Sequence, residues 1–123
     1  MNKAFYKVEK IPILKNPKGN LYKVVSKNNK FFNIFGELYF TEVYPKKFKG
    51  WKYHEKRTQI ITVLKGKVRF YLKKKINDKS KVIDIEFPDK LKLLKIEPKT
   101  HYSFECISRS KSMIINLINE VVK

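Results

Sequence analysis

Short runs of alternating or continuous apolar residues, each closed by a turn residue, recur from one end of this 123-residue chain to the other. A strand sends successive side chains to opposite faces, so such runs read as half-buried or fully buried β-strands. Glu37 to Tyr44 alternates: Leu38, Phe40 and Glu42 face one way, and Tyr39, Thr41 and Val43 the other. Pro45 ends that strand by removing a ladder donor. Gln59 to Leu64 is almost continuously apolar, as a strand covered on both faces requires. Gly66 makes a turn, and Lys67 to Leu72 then points Val68, Phe70 and Leu72 inward. Val82 to Phe87 puts Ile83, Ile85 and Phe87 on one face before Pro88-Asp89 closes it. Leu91 to Ile96, Tyr102 to Ile107 and Met113 to Ile118 complete the set, with Leu21 to Val25 a further candidate after the turn at Asn16 to Asn20. Ile114 to Val122 has room for a helix, but its isoleucine and valine content favours a strand. No segment holds a 3.6-residue pattern long enough for a firm helix. The expectation is an all-β sandwich or barrel.

The length suits a single domain spanning residues 1–123. A hydrophobic content of 42% is too high for a disordered chain, yet no apolar run approaches the roughly 20 residues of a membrane span. The N-terminus lacks the apolar stretch of a signal peptide, so a cytoplasmic location is expected. The lone cysteine, Cys106, has no internal disulfide partner, which fits a reducing compartment, and its apolar flanks make it a packing residue.

Charge raises a different possibility. The 29 basic residues exceed the 11 acidic ones to give +18, a balance that draws phosphate. Only Arg57, Arg69 and Arg109 are arginines, however, and arginine is the residue that reads bases and grips phosphate in two places. The lysines are scattered over the whole chain, and the abundance of lysine, asparagine and isoleucine together is what an AT-biased coding sequence produces. A solvated lysine-rich surface is the simpler reading, with no nucleic-acid or membrane partner expected. Such a surface still attracts an anionic nucleotide-sugar.

Chemistry concentrates around Gly50-Trp51-Lys52-Tyr53-His54, with Gln59 five residues on and Gly66 beyond an apolar strand. Positions 52 and 54 share a face of a strand, so a lysine and a histidine look into one cavity. These intervals resemble the first motif of the cupins, with Lys52 where a metal-binding cupin carries a second histidine. Pro17-Lys18-Gly19-Asn20, Phe35 to Phe40, Lys49 to His54 and Ile96 to Phe104 extend the likeness in order and spacing. The chain thus resembles the jelly-roll (double-stranded β-helix) cupin family of sugar-nucleotide epimerases and ketoisomerases, related to dTDP-4-dehydrorhamnose 3,5-epimerase.

That resemblance implies a metal-free epimerase or ketoisomerase acting on a dTDP- or UDP-linked 4-keto sugar in polysaccharide biosynthesis, without a cofactor. His54 matches the family's base. Its epimerases place a tyrosine on the opposite face, from a C-terminal extension, whereas its short ketoisomerases use paired histidines and a tyrosine from the preceding strand. Lys52 replaces the first of those histidines, and Tyr44 is the candidate for the tyrosine. His54, Tyr44 and Lys52 are therefore the expected catalytic residues, and Gln59, Tyr102, Lys49 and Arg57 the expected substrate-binding ones. The resemblance also implies a homodimer in which strands near the N-terminus cross over.

Proton abstraction beside a keto group needs a base of near-neutral pKa, a proton carrier, and positive charge on the developing oxyanion. An imidazole supplies the first and a lysine the last. His101 falls where the look-alike family carries an apolar or aromatic residue and is left outside the site. Two histidines without a carboxylate on their face fall short of the three protein ligands of a metal site, since alternation turns Glu55 away. Trp51 turns away likewise. The alternatives are a sugar- or ligand-binding cupin without catalysis and, further off, a basic nucleic-acid-binding barrel.

Overall fold

The computed structural model describes residues 4–28 and 34–122. Its strands are β1 (Tyr6–Lys10), β2 (Ile13–Leu14), β3 (Leu21–Tyr22), β4 (Glu37–Val43), β5 (Phe48–Lys52), β6 (Gln59–Lys65), β7 (Lys67–Lys73), β8 (Lys81–Glu86), β9 (Lys92–Ile96), β10 (His101–Cys106) and β11 (Ser112–Ile118). Among the described residues there is no helix, and so none long and apolar enough to cross a membrane. The all-β expectation holds, and the C-terminal ambiguity resolves as the strand β11.

Five strands form one antiparallel sheet in the order β1-β9-β6-β11-β4, and four form a second in the order β5-β10-β7-β8. The alternation read from the sequence sets what lies between them. Ile61 and Val63 of β6, Leu94 and Ile96 of β9, Ile114 of β11 and Val43 of β4 share one core cluster with Val68, Phe70 and Leu72 of β7, Ile85 of β8 and Phe104 of β10. Each fully buried side chain of this size stabilises the fold by about 1.5–3 kcal/mol. β6 is buried on both faces from Gln59 to Val63, which accounts for its unbroken apolar run.

Two N-terminal features differ from the expectation. Leu21 to Val25 pairs only over Leu21–Tyr22, against Ile13–Leu14, in a ribbon of its own. Conversely, Tyr6–Lys10 forms a full strand paired residue by residue with β9 of the same chain, although its sequence alternates lysines with few apolar side chains. An edge strand needs little apolar pattern when its neighbour's ladder is free, and this one caps the five-stranded sheet.

β5 carries the irregularity that matters for the site. It pairs with β10 across a register shift between Tyr102 and Phe104, and Gly50 sits in it at φ 137°. A Cβ on Gly50 would fall 2.5 Å from the Cβ of Ser103 and 2.8 Å from its Cα, so only glycine allows the two strands this approach. Gly50→Ala is expected to lower unfolding stability by about 1–3 kcal/mol. Urea unfolding followed by tryptophan fluorescence measures this, and an unchanged midpoint would show that the β5 bulge relaxes at no cost.

Candidate active site

Tyr102 on β10 lies opposite Lys52 of β5 on one side and Leu72 of β7 on the other, so all three point between the sheets. A pocket of about 80 Å³ opens there. Its polar wall is built by Tyr39 and Thr41 from β4, Lys52 from β5, His54 and Arg57 from the β5–β6 loop, Tyr102 from β10 and Asn116 from β11. Ile61, Phe70, Phe104 and Ile114 form its apolar lining. The Lys52 ammonium stands 5.6 Å from the centroid of the Phe104 ring and borders the pocket, although the residue as a whole is exposed. Larger and more open grooves lie elsewhere, one along β1, one at Pro45 to Arg109 and one between Phe5, Lys74 and Pro98, and none of the three is lined by histidine.

His54 lies just past the end of β5, in the loop, and not on the strand itself. Its carbonyl accepts the amide of Lys99 at 2.7 Å, which fixes its backbone against the turn before β10. The imidazole Nε2 is 3.0 Å from the Tyr102 hydroxyl and 3.2 Å from Nη1 of Arg57. Arg57 in turn donates from Nε to Glu120 at 3.0 Å. On the other side, the Tyr102 hydroxyl reaches Oε1 of Gln59 at 3.3 Å, and Asn116 Nδ2 donates to the same oxygen at 2.9 Å and to the Tyr39 hydroxyl at 3.2 Å. One chain of hydrogen bonds thus runs from the C-terminal segment through the imidazole to β4.

Burial and the charge beside them set the protonation states. Desolvation, then the Arg57 guanidinium and Lys52, lower the His54 pKa below the ordinary imidazole value, and Glu120 only partly opposes this. Lys52 is lowered by desolvation and by the charges of Lys49 and Arg57. Tyr102 is raised chiefly by burial, against its hydrogen bond to Gln59, and Tyr39 is raised by burial as well. The arrangement is a neutral base, two protonated phenols and two cations around one small volume.

No protein-family model matches the chain, and no curated protein matches it. Solved structures do. A dTDP sugar isomerase from Desulfovibrio desulfuricans G20 is 23% identical with a TM-score of 0.85, over 96% of this chain and 78% of that one. QdtA, a sugar 3,4-ketoisomerase from Thermoanaerobacterium thermosaccharolyticum in complex with TDP, is 22% identical with a TM-score of 0.80, over 97% and 83%. The 3,5-epimerase RmlC from Legionella pneumophila, in complex with dTDP-4-keto-L-rhamnose, is 11% identical with a TM-score of 0.85, over 100% and 71%. The chain has their fold. The jelly-roll barrel implied by the sequence motifs is therefore borne out, and the resemblance to sugar-nucleotide epimerases and ketoisomerases holds at the level of architecture.

Of the residues singled out in the sequence, the structure brings Lys52, His54, Arg57 and Tyr102 together around this jelly-roll pocket. It does not bring Tyr44, which is 58% exposed. The alternation of β4 explains the correction: Tyr44 shares the outward parity of Leu38 and Phe40, while Tyr39 and Thr41 face the pocket. Lys49 also stays out, its ammonium donating to the Glu42 carbonyl at 3.0 Å. Gln59 is 1% exposed and lies beneath the pocket, where it holds Tyr102 and Asn116. His101 stacks on Tyr53 with ring centroids 4.6 Å apart, outside the site.

Tyr39 and Asn116 were missed. The signal for Tyr39 was its shared parity with Val43, and for Asn116 a lone amide in the inward register of an isoleucine-rich strand. Gln59→Leu should destabilise the fold by about 1–3 kcal/mol, because it leaves a buried N–H of Asn116 without its acceptor. Tyr44→Ala should change stability by less than about 0.5 kcal/mol. Chemical unfolding of both variants compares them, and equal losses would contradict the placement of these two side chains.

Proposed function

We propose that this chain is a metal-free isomerase of a nucleotide-activated (dTDP- or UDP-linked) 4-keto sugar, with ketoisomerisation favoured over epimerisation. The observation that carries the reading is the 3.0 Å contact between His54 Nε2 and the Tyr102 hydroxyl, with Lys52 and Arg57 lining the same pocket. In this reading His54 takes the proton from the carbon beside the keto group. The electron pair moves onto the keto oxygen as an enediolate, and Lys52 stabilises that charge. Returning a proton to the former keto carbon, as the neighbouring hydroxyl proton shifts between the two oxygens, moves the ketone by one position. Returning it to the original carbon from the opposite face instead gives the epimer.

Base and phenol stand side by side here, which suits transfer on one face of the sugar and therefore the ketone shift. One further fact supports this choice. The chain is 22% identical to QdtA and 11% identical to the RmlC structure. A volume of about 80 Å³ takes the reacting edge of a sugar ring, so the nucleotide lies beyond the mouth. A cytoplasmic setting agrees with such a substrate and with a buried, unpaired Cys106.

The two alternatives fare unequally. A binding protein without catalysis has no need of a phenol in contact with the imidazole. The nucleic-acid reading gains one point: Phe48, Trp51 and Tyr71 emerge on the outer face of the four-stranded sheet, with Phe48 and Tyr71 centroids 6.2 Å apart and Lys73 over Trp51 at 4.3 Å. On that face, however, Arg69 is paired with Asp84 and Lys67 lies opposite Glu86, which offsets part of the positive field that phosphate would need.

Solvent-deuterium incorporation into a TDP-linked 4-keto sugar tests the chemistry. His54→Ala should lower exchange and turnover about 100-fold or more while leaving the melting curve intact. The sign of the pH dependence follows from the lowered His54 pKa. The free base persists below the ordinary value of about 6.5, so the acid limb of kcat/KM lies below that pH. Unchanged exchange in the variant would remove this imidazole as the base.

We propose a homodimer as well. β4 is an edge strand whose outward Leu38 and Phe40 are 50% and 60% exposed, beside Ile115 and Leu117 of β11. Phe40→Lys should convert the wild-type dimer to monomer in light-scattering chromatography, and a monomeric wild type would end this part of the proposal.

A further inference from the structure

The isomerase reading takes His54 as a base and leaves open what selects its reactive tautomer. We propose that Arg57, held by Glu120, is a positioning residue that locks His54 with its proton on Nδ1 and its lone pair on Nε2, facing the pocket. The argument is one of donors and acceptors. A guanidinium has only N–H groups to offer, so the ring nitrogen 3.2 Å from Nη1 accepts. A neutral imidazole that accepts at Nε2 carries its hydrogen on Nδ1. The Tyr102 hydroxyl, 3.0 Å from the same nitrogen, then donates to it as well. Once Nε2 has taken a proton, Tyr102 turns its hydrogen to Oε1 of Gln59 and accepts from the ring.

The clamp on Arg57 is itself built into the fold. The Arg57 side chain is 12% exposed and paired with Glu120 at 3.0 Å. Its neighbour Asn119 accepts the Thr58 amide through Oδ1 at 3.0 Å, so two consecutive residues hold two consecutive residues. Behind them, Gly36 donates to the Ile118 carbonyl at 2.8 Å, and its Cα packs so tightly on the Asn119–Glu120 backbone that a Cβ there would overlap it. The segment after β11 is thereby fixed from both sides, and it delivers one carboxylate to one guanidinium.

The charged and titratable groups facing the imidazole are Lys52 from β5, Arg57 from its own loop, Glu120 from the C-terminal segment and Tyr102 from β10. A cation in contact with Nε2 makes the imidazolium short-lived. That suits a base that must hand its proton back within the same turnover.

The chain has two histidines, so ¹⁵N-detected imidazole NMR resolves His54 without substrate. The wild type should show the Nδ1–H tautomer and a midpoint below about 6.5. Arg57→Met should populate both tautomers and raise the midpoint by about one unit, because a like charge has been removed. Glu120→Gln should move the midpoint the other way, with kcat falling more than KM changes. An unaltered tautomer and midpoint in folded Arg57→Met overturns the proposal. If that variant fails to fold, an unshifted midpoint in Glu120→Gln does the same. The proposal rests on the isomerase reading for its purpose, but the titration is independent of it: loss of deuterium exchange alone would sink the reading and leave the lock standing.

Discussion

β10 pairs with β5 on one edge and β7 on the other, and that double pairing organises the molecule. It fixes Tyr102 and Phe104 as inward residues, Ser103 and Glu105 as outward ones, and carries the same division to both neighbours through the pleat. A slip of one residue would put the phenol in water and Ser103 against the core. Two observations show how firmly the register is held. Ser103 is fully buried even though it faces outward, and Gly50 allows the β5 backbone to lie directly on it. The functional wall and the hydrophobic core are therefore set by the same ladder.

Upon this frame the polar network is local. Gln59 and Asn116 sit in the inward registers of β6 and β11, flanked there by Ile61, Ile114 and Ile118. Buried amides in such places cost stability unless each is matched. Here Gln59 Oε1 and Asn116 Nδ2 are matched by one another and by two phenols, while Asn116 Oδ1 stays buried without a partner. The cationic side is built differently, from a loop and a chain segment 63 residues apart in sequence.

That contrast explains what the sequence allowed one to read. Strands β6 to β11 were legible because their inward residues repeat every second position and their turns carry Gly66, Pro88 or Pro98. The facing of Lys52 and His54 was legible from their spacing, although the loop rather than a strand presents the histidine. β1 was not legible, because edge strands depend on a neighbour's free ladder more than on their own pattern. Tyr44 misled for a different reason: the resemblance implies a tyrosine on the strand before His54, and that outweighed a parity that ranked Tyr44 with Leu38 and Phe40. Nothing in the primary structure joins Arg57 to Glu120, since only the closure of β11 against β4 and β6 brings the chain's last segment beneath the loop.

The small pocket has a consequence for how specificity is divided. On the isomerase reading proposed above, a hollow of about 80 Å³ excludes the greater part of a nucleotide-linked substrate from the chemistry. Recognition of the base and the phosphates would then fall to the rim, outside the buried ladder. Surface residues there can change toward a new donor nucleotide while the interior stays as it is. A fold used in this way keeps its reaction and its choice of carrier on separate parts of the chain.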